Sequence, residues 1–568
     1  MLAELPADAR TALTWPWERY APLYAELLAR PLDVESAAAW LGDWSRLADT
    51  AQEVINRLTV QANRDTGDAE AERVYTVWLA EVYPAWMAAE QQLRERLLAS
   101  ALEPADFAIP LRDMRADVDR FRAANLPLIS EESRLGNQYN KITGAQTVQW
   151  QGEERTLRQI QPTLQSPERE VRQTAWRRIA ERQLADRAAI NELWRALMAV
   201  RGQIAANADC LTYREYVWPL RRRFDYTPSD CARFHEAIAA AVLPAAARIY
   251  ERRRARLGVD TLRPWDLAAL RPGEPPLQPF ANINELETRA EAMLAHVNPQ
   301  FGGYFSTMRR EGLLDLDNRK GKAPGGYCTS FPIEGRPFIF MNAVGLADDV
   351  RVVLHEAGHA FHNFECVELP YRQLRRAPME FAEVASMAME LLAMPAVAAA
   401  SGGFYTDPAE AARARREHLE SIILFWPYMA VVDAFQHWVY TNHALASEPV
   451  ACDAAWGQIW DRFMPGVDWG GLYDEKVTGW QRKLHIHRAP FYYVEYGLAQ
   501  LGAVQVWRNS LTDQAGTVAA YRQALALGGS VPLPELFAAA GARFAFDAET
   551  MGMAVDLLEQ QLDALGIA

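Results

Sequence analysis

The sequence predicts a mainly α-helical chain of two lobes, with one small β-sheet placed just ahead of its most informative helix. Three observations lead there. At 568 residues the chain exceeds what one compact core accommodates, which points to two or three lobes. Apolar residues recur at i, i+3, i+4 and i+7 along most of it, the period of amphipathic helices. Between residues 313 and 341 the texture changes to short apolar runs broken by Gly, Asn and Pro, as strands require.

In the first 130 residues, Ala37, Leu41, Trp44, Leu47 and Ile55 make one periodic face, and Tyr75, Trp78, Leu79, Val82 and Trp86 another. Trp15-Pro16-Trp17 reads as a strap docked over those helices. Residues 147–150 and 154–157 flank Gln151-Gly152-Glu153, a hairpin signal. Ser166-Pro167-Glu168-Arg169 then opens a helix whose charges, Glu170, Arg172, Arg177 and Arg178, mark a solvated face. Residues 196–300 are again helical, and the proline-rich stretch 263–279 reads as a loop. Strands follow at 313–316, 326–331 and 337–341. Residues 411–444 form a further helix, whose His418, His437 and His443 read as packing or surface groups.

Residues 350–363 carry the chemistry. Val350, Val353, Leu354, Ala357, Phe361 and Phe364 build one apolar helical face. Asp348 and Asp349 precede it, where carboxylates cap N–H groups and meet the positive end of the dipole. His355 and His359 project from the opposite side, one turn apart, and can share a metal ion. Glu356 points to an adjacent flank, where its carboxylate can hold a water. This is the H-E-x-x-H device of zinc hydrolases: two neutral imidazoles bind and one carboxylate is the general base. A third protein ligand is still needed.

Residues 378–399 offer candidates. Pro378 suits a first helical position, and Pro395 ends or kinks the helix. Between them the helix is apolar nearly all round, as a buried helix is. It holds no Lys or Arg, yet it contains Glu380, Glu383 and Glu390 within about 80° of one face. Buried carboxylates without basic partners must be protonated, hydrated or bound to a metal.

Composition narrows the class. A net charge of −14 argues against a nucleic-acid partner. Five cysteines without a C-x-x-C pair fit a reducing compartment. No basic-then-apolar signal opens the chain and no eighteen-residue apolar run interrupts it, so a soluble cytoplasmic protein without membrane partners is expected.

At its two acidic and histidine-bearing helices the sequence resembles the oligoendopeptidase F and thimet oligopeptidase family of zinc peptidases. Their motif is H-E-x-G-H-x-x-H, followed by an acidic ligand in a Phe-x-Glu-x-x-Ser setting. Here those positions are His355-Glu356-Ala357-Gly358-His359-Ala360-Phe361-His362 and Phe381-Ala382-Glu383-Val384-Ala385-Ser386. The resemblance implies that His355, His359 and Glu383 bind one Zn2+ per chain while Glu356 activates the water. It also implies that Glu390 orients a ligand imidazole. Glu380 stands where relatives often have Asp, and His362 reads as a supporting or cavity-wall residue. Residues 485–496 resemble the family's His-then-Pro-Phe-Tyr-x-x-x-Tyr stretch on the far wall of the active site. That implies His485, Tyr493 and Tyr496 as hydrogen-bond donors to an oxyanion, with His487 competing for the histidine role. Residues 525–544 look like the family's C-terminal helix pair. The order of helices, hairpin and Arg-rich helix at the start also resembles oligoendopeptidase F. It divides the chain into an N-terminal helical domain, 1–195, and a catalytic domain, 196–568.

The expected fold is thus a two-lobed helical zincin-type peptidase with a small sheet beside the H-E-x-x-H helix and a deep channel. In zincins an edge strand beside that helix pairs with substrate backbone, and residues 325–330 are the candidate here. Cys328 within it reads as a small strand residue, not a ligand. The expected activity is hydrolysis of internal bonds in short peptides. A Taq-type zinc carboxypeptidase is one alternative, and it requires an Arg cluster to clamp a free carboxylate. The other is a catalytically silent peptide-binding protein, for which Glu356 as a base has no use.

Overall fold

The computed structural model describes residues 5–270 and 273–566. Met1 to Glu4, in the stretch read for targeting signals, and Arg271-Pro272, in the loop read at 263–279, lie outside the described residues. The elements that matter for function are, in chain order, helix α1 (Ala37–Arg64), strands β1 (Thr147–Trp150) and β2 (Glu153–Thr156), and helix α2 (Pro228–Leu257). Then come β3 (Leu314–Asp317), β4 (Tyr327–Phe331), β5 (Arg336–Ala343), α3 (Ala347–Cys366), α4 (Met379–Ala393) and α5 (Pro408–Thr441). They are followed by α6 (Leu484–Arg488), α7 (Tyr493–Ser510) and α8 (Gln514–Ala526). Among the described residues the fold is mainly helical, with two small sheets.

Two compact units emerge, each assembled from three segments. The first takes Met1–Asp119, Leu277–Arg415 and Ala499–Phe544; the second takes Arg120–Pro276, Arg416–Leu498 and Ala545–Ala568. The contiguous stretches 1–195 and 196–568 read from the sequence are grouped otherwise here. A texture change along the chain marks where elements change, whereas compactness depends on which distant segments pack together.

In the first unit α1 buries the face predicted for it, with Trp40, Trp44, Leu47 and Leu58 in one cluster with Trp78, Val82 and Trp86. Leu79, expected on that face, is 36% exposed. Residues 78–82 form a π-helical turn, and its extra residue rotates Leu79 out of the apolar stripe. Trp17 begins a helix of its own (Trp17–Ala29), and its ring packs 5.7 Å from that of Tyr24.

The three-stranded sheet has the order β3-β5-β4, so β4 is an edge strand. β5 runs parallel to β3 and antiparallel to β4, with Cys328 opposite Ile339 and Ser330 opposite Pro337. α3 follows directly and packs against β4 and β5, with Val350, Val353 and Leu354 all buried. Phe361 stacks on Phe301 at 4.9 Å, and the half-buried Phe364 stacks on Tyr304 at 4.5 Å. At the start of α3, Asp349 Oδ2 accepts from the N–H groups of Val344 and Leu346 at 2.8 and 2.9 Å. That is the capping role expected for a carboxylate there. α4 is buried nearly all round, as predicted. Pro378 is its cap and not its first residue, because ψ of 144° leaves it extended.

In the second unit β1 and β2 form the expected hairpin. Gln151 and Gly152 have φ of 54° and 86°, the two positive values of a type I′ turn. α5 is long and apolar enough to cross a membrane by composition, but 67% of its most apolar window is buried in the protein, as in a core helix. None of the five cysteines forms a disulfide.

Candidate metal centre

Gly358 explains how α3 and α4 come together. A Cβ at that position would lie 2.6 Å from Ala385 O and 2.6 Å from Ser386 Cα. Only a residue without a side chain lets the two backbones approach this closely. The contact falls between His355 and His359 on one helix and beside Glu383 on the other, so it sets their mutual height.

The candidate ligand atoms converge. His355 Nε2 lies 3.4 Å and His359 Nε2 3.6 Å from the same oxygen, Glu383 Oε2. A tetrahedral zinc site with bonds near 2.0–2.1 Å separates its ligand atoms by about 3.3–3.4 Å. The donor set therefore fits zinc in both chemistry and spacing. His355 Nδ1 bonds Glu390 Oε1 at 2.7 Å, which fixes the tautomer that leaves Nε2 to bind. Ser386 Oγ donates to Glu383 Oε2 at 3.0 Å and steadies the carboxylate. Arg351 pairs with Asp348 one turn earlier and stands 4.0 Å from Glu390.

Electrostatics separate the acids. Burial pushes Glu383 up, but His359, His355 and Ser386 outweigh it and hold it at about 2. Burial pulls His355 down, and its bonds to Glu383 and Glu390 reverse that and raise it. Burial lowers His359 to about 4, in the neutral form a metal requires. Glu356 is buried, its Oε2 has no hydrogen-bond partner, and burial raises it to about 7. The backbone N–H of Cys328 on β4 faces it and draws it partly back. Cys328 is a half-buried strand residue. His362 is buried against Phe381, lowered by burial to about 4, with no partner at Nε2. Glu380 is buried at the first turn of α4.

His485, Tyr493 and Tyr496 belong to the second unit, where they cluster. The His485 ring lies 5.1 Å from that of Tyr493 and 5.9 Å from that of Tyr496. His487, the competing histidine, is buried between Tyr139, stacked at 4.2 Å, and Trp480 at 5.8 Å. It is a core residue, so the histidine beside the tyrosines is His485. Lys483, which sequence reasoning passed over, donates to Tyr493 Oη at 2.8 Å, and burial lowers it to about 8.

A second group of metal-capable side chains, Cys231, Asp433 and His437, joins α2 to α5. His235, one turn from Cys231, bonds Asp433 Oδ2 at 2.9 Å. Arg214 Nη1 lies 3.1 Å from His437 Nδ1. A guanidinium only donates, so Nδ1 accepts and the proton sits on Nε2, 3.4 Å from Asp433. A protonated Nε2 binds no metal, and the group is a buried polar network. The sequence signal was Asp433 and His437 at i, i+4, a pairing overlooked when His437 was read alone.

The profile of Peptidase family M3 matches residues 163–552. Among solved structures, PZ peptidase A with an inhibitor is similar at a TM-score of 0.89 and 27% identity, over 99% of each chain. A protein of Bacillus anthracis str. Ames described as an oligoendopeptidase F is similar at 0.84 and 25%, over 96% of each. The oligoendopeptidase-F of Enterococcus faecium shares the fold at 0.61 and 16%, over 97% of this chain and 98% of its own. No curated protein sequence matches significantly.

Proposed function

The chain belongs to peptidase family M3, and we propose that it is a zinc-dependent endopeptidase that cuts internal bonds of short peptides. The observation that carries the reading is the convergence of two imidazoles on Glu383 Oε2, at 3.4 and 3.6 Å, beside the buried carboxylate of Glu356, whose Oε2 has no hydrogen-bond partner. His355, His359 and Glu383 would hold the ion. Zinc held there lowers the pKa of a water and polarises the scissile carbonyl. Glu356 takes a proton from the attacking water and returns it to the leaving amine. Glu390 keeps His355 in the binding tautomer. The outer edge of β4 offers backbone groups to an extended peptide, which gives affinity without demanding particular side chains. The family's His/Tyr stretch supports His485, Tyr493 and Tyr496 as donors to the oxyanion. A cytoplasmic location fits five cysteines without a disulfide.

The test is mass spectrometry of a mixed peptide library after incubation with the protein, with and without chelator. Internal cuts lost on chelation support the proposal. Single C-terminal losses identify a carboxypeptidase instead, and an untouched library identifies a peptide binder.

A further inference from the structure

The edge of β4 is closed at one end by a side chain from α1. Pro337 has no N–H and sits opposite Ser330, and the N–H of Ile339, opposite Cys328, goes to Leu313 O at 3.0 Å on the β3 side. Neither pair therefore exchanges backbone hydrogen bonds across β4 and β5, and the antiparallel alternation turns the N–H and C=O groups of Cys328 and Ser330 outward. Those are the groups an added peptide strand would meet, one rung every two residues, about 6.8 Å apart, except that the Cys328 N–H already faces Glu356, so that rung offers its C=O.

The Ser330 rung is already occupied. Asn56 Nδ2 donates to Ser330 O at 2.8 Å. The amide cannot turn away easily, because Gln52 Nε2 donates to Asn56 Oδ1 at 2.9 Å and Arg372 Nη2 to Gln52 Oε1 at 2.8 Å. Arg372 is anchored in turn on Asp49 at 3.1 Å. Asp49, Gln52 and Asn56 share one face of α1, at i, i+3 and i+7. Before the strand, Asn342 Nδ2 takes Gly325 O at 2.8 Å. Between these two side-chain caps, Gly326 to Cys328 is the stretch of edge left for pairing.

We propose that Asn56 is a specificity-determining residue that ends the peptide-binding edge of β4. A peptide strand pairs with the Cys328 carbonyl, finds the Ser330 carbonyl taken, and leaves the edge there. Residues beyond that point add no backbone bonds, so the site rewards short extended peptides and gains nothing from longer ones on that side. The inference rests on the reading of β4 as the substrate edge.

The experiment measures binding, so that it stands apart from hydrolysis. Dissociation constants are determined by fluorescence anisotropy for two peptide series on the zinc-loaded full chain carrying Glu356→Gln. One series is lengthened residue by residue at the N-terminus and the other at the C-terminus. In one series affinity should stop rising at the Cys328 rung. Adding Asn56→Ala should let that series tighten about 2- to 10-fold over the next two residues, the range of one net backbone hydrogen bond. Gln52→Ala, which frees the Asn56 amide, should act in the same direction and stands in if Asn56→Ala does not fold. Length profiles that stay the same in the folded variants overturn the proposal. Peptides that bind with these profiles and are never cut by the unmutated chain leave it standing and remove the peptidase reading instead.

Discussion

Gly358→Ala tests the geometry of the metal centre without touching any ligand. The added Cβ would meet Ala385 O and Ser386 Cα at 2.6 Å, where ordinary contact begins near 3.4 Å. Both obstacles are backbone or Cα atoms, so no side chain can swing aside, and α3 and α4 must separate by roughly 0.8 Å locally (3.4 − 2.6). Overpacking of this kind costs about 1–3 kcal/mol of stability. Glu383 sits on the displaced helix, two and three residues before the contact, while both histidines sit on the other. A metal site tolerates about 0.2 Å in its ligand distances. Zinc affinity should therefore fall at least about tenfold, or about 1.4 kcal/mol. The assay is competition with a chromophoric chelator, run beside urea unfolding of the same protein. A variant that loses stability yet keeps its zinc affinity would show that the Gly358 contact does not set the ligand geometry.

Further outcomes follow from the same site. Glu356→Gln should lower kcat/KM by about 10²–10⁴-fold while elemental analysis still finds about one zinc per chain, since a base is lost and no ligand. Glu383→Ala should weaken zinc in chelator titrations far more than Glu380→Ala; the opposite order would move the third ligand to Glu380. Tyr496→Phe, with Tyr493→Phe and His485→Ala beside it, should cost about 10²-fold in kcat and spare KM where the residue donates to the oxyanion. A normal kcat in all three would confine the catalytic groups to the two helices of the metal centre.

What could be read from the sequence follows the range of the interaction. The H-E-x-x-H helix was legible because its apolar face and its two histidines repeat within one element. The hairpin at Gln151-Gly152 was legible because its turn requires two positive φ values in adjacent residues. Glu383 among three glutamates was not chosen by spacing on its own helix, and it needed the family resemblance. The close approach at Gly358 and the Asn56 to Ser330 bond were invisible, since each joins segments far apart in the chain. His487 was misleading for the same reason. Only the rings of Tyr139 and Trp480, from other segments, reveal it as core.

Three glutamates on α3 and α4 share one chemistry and end in different states, and the difference is what each one faces. Glu383 meets His355, His359 and the Ser386 hydroxyl, so it stays ionised down to about 2 despite its burial. Glu390 is engaged by the Nδ1 of His355. Glu356 lies next to His355 in sequence but on another side of α3, where Oε2 meets no donor and burial, aided by Glu383 and Glu390, lifts it to about 7 against His355 and the Cys328 N–H. A carboxylate spent on hydrogen bonds makes a good ligand or a good orienting group and a poor base. A carboxylate with one oxygen left without them, poised near neutrality, can take a proton and give it back. Helical geometry separates the two fates, because consecutive residues point about 100° apart and His355 therefore turns to Glu383 while Glu356 turns to Cys328 on β4.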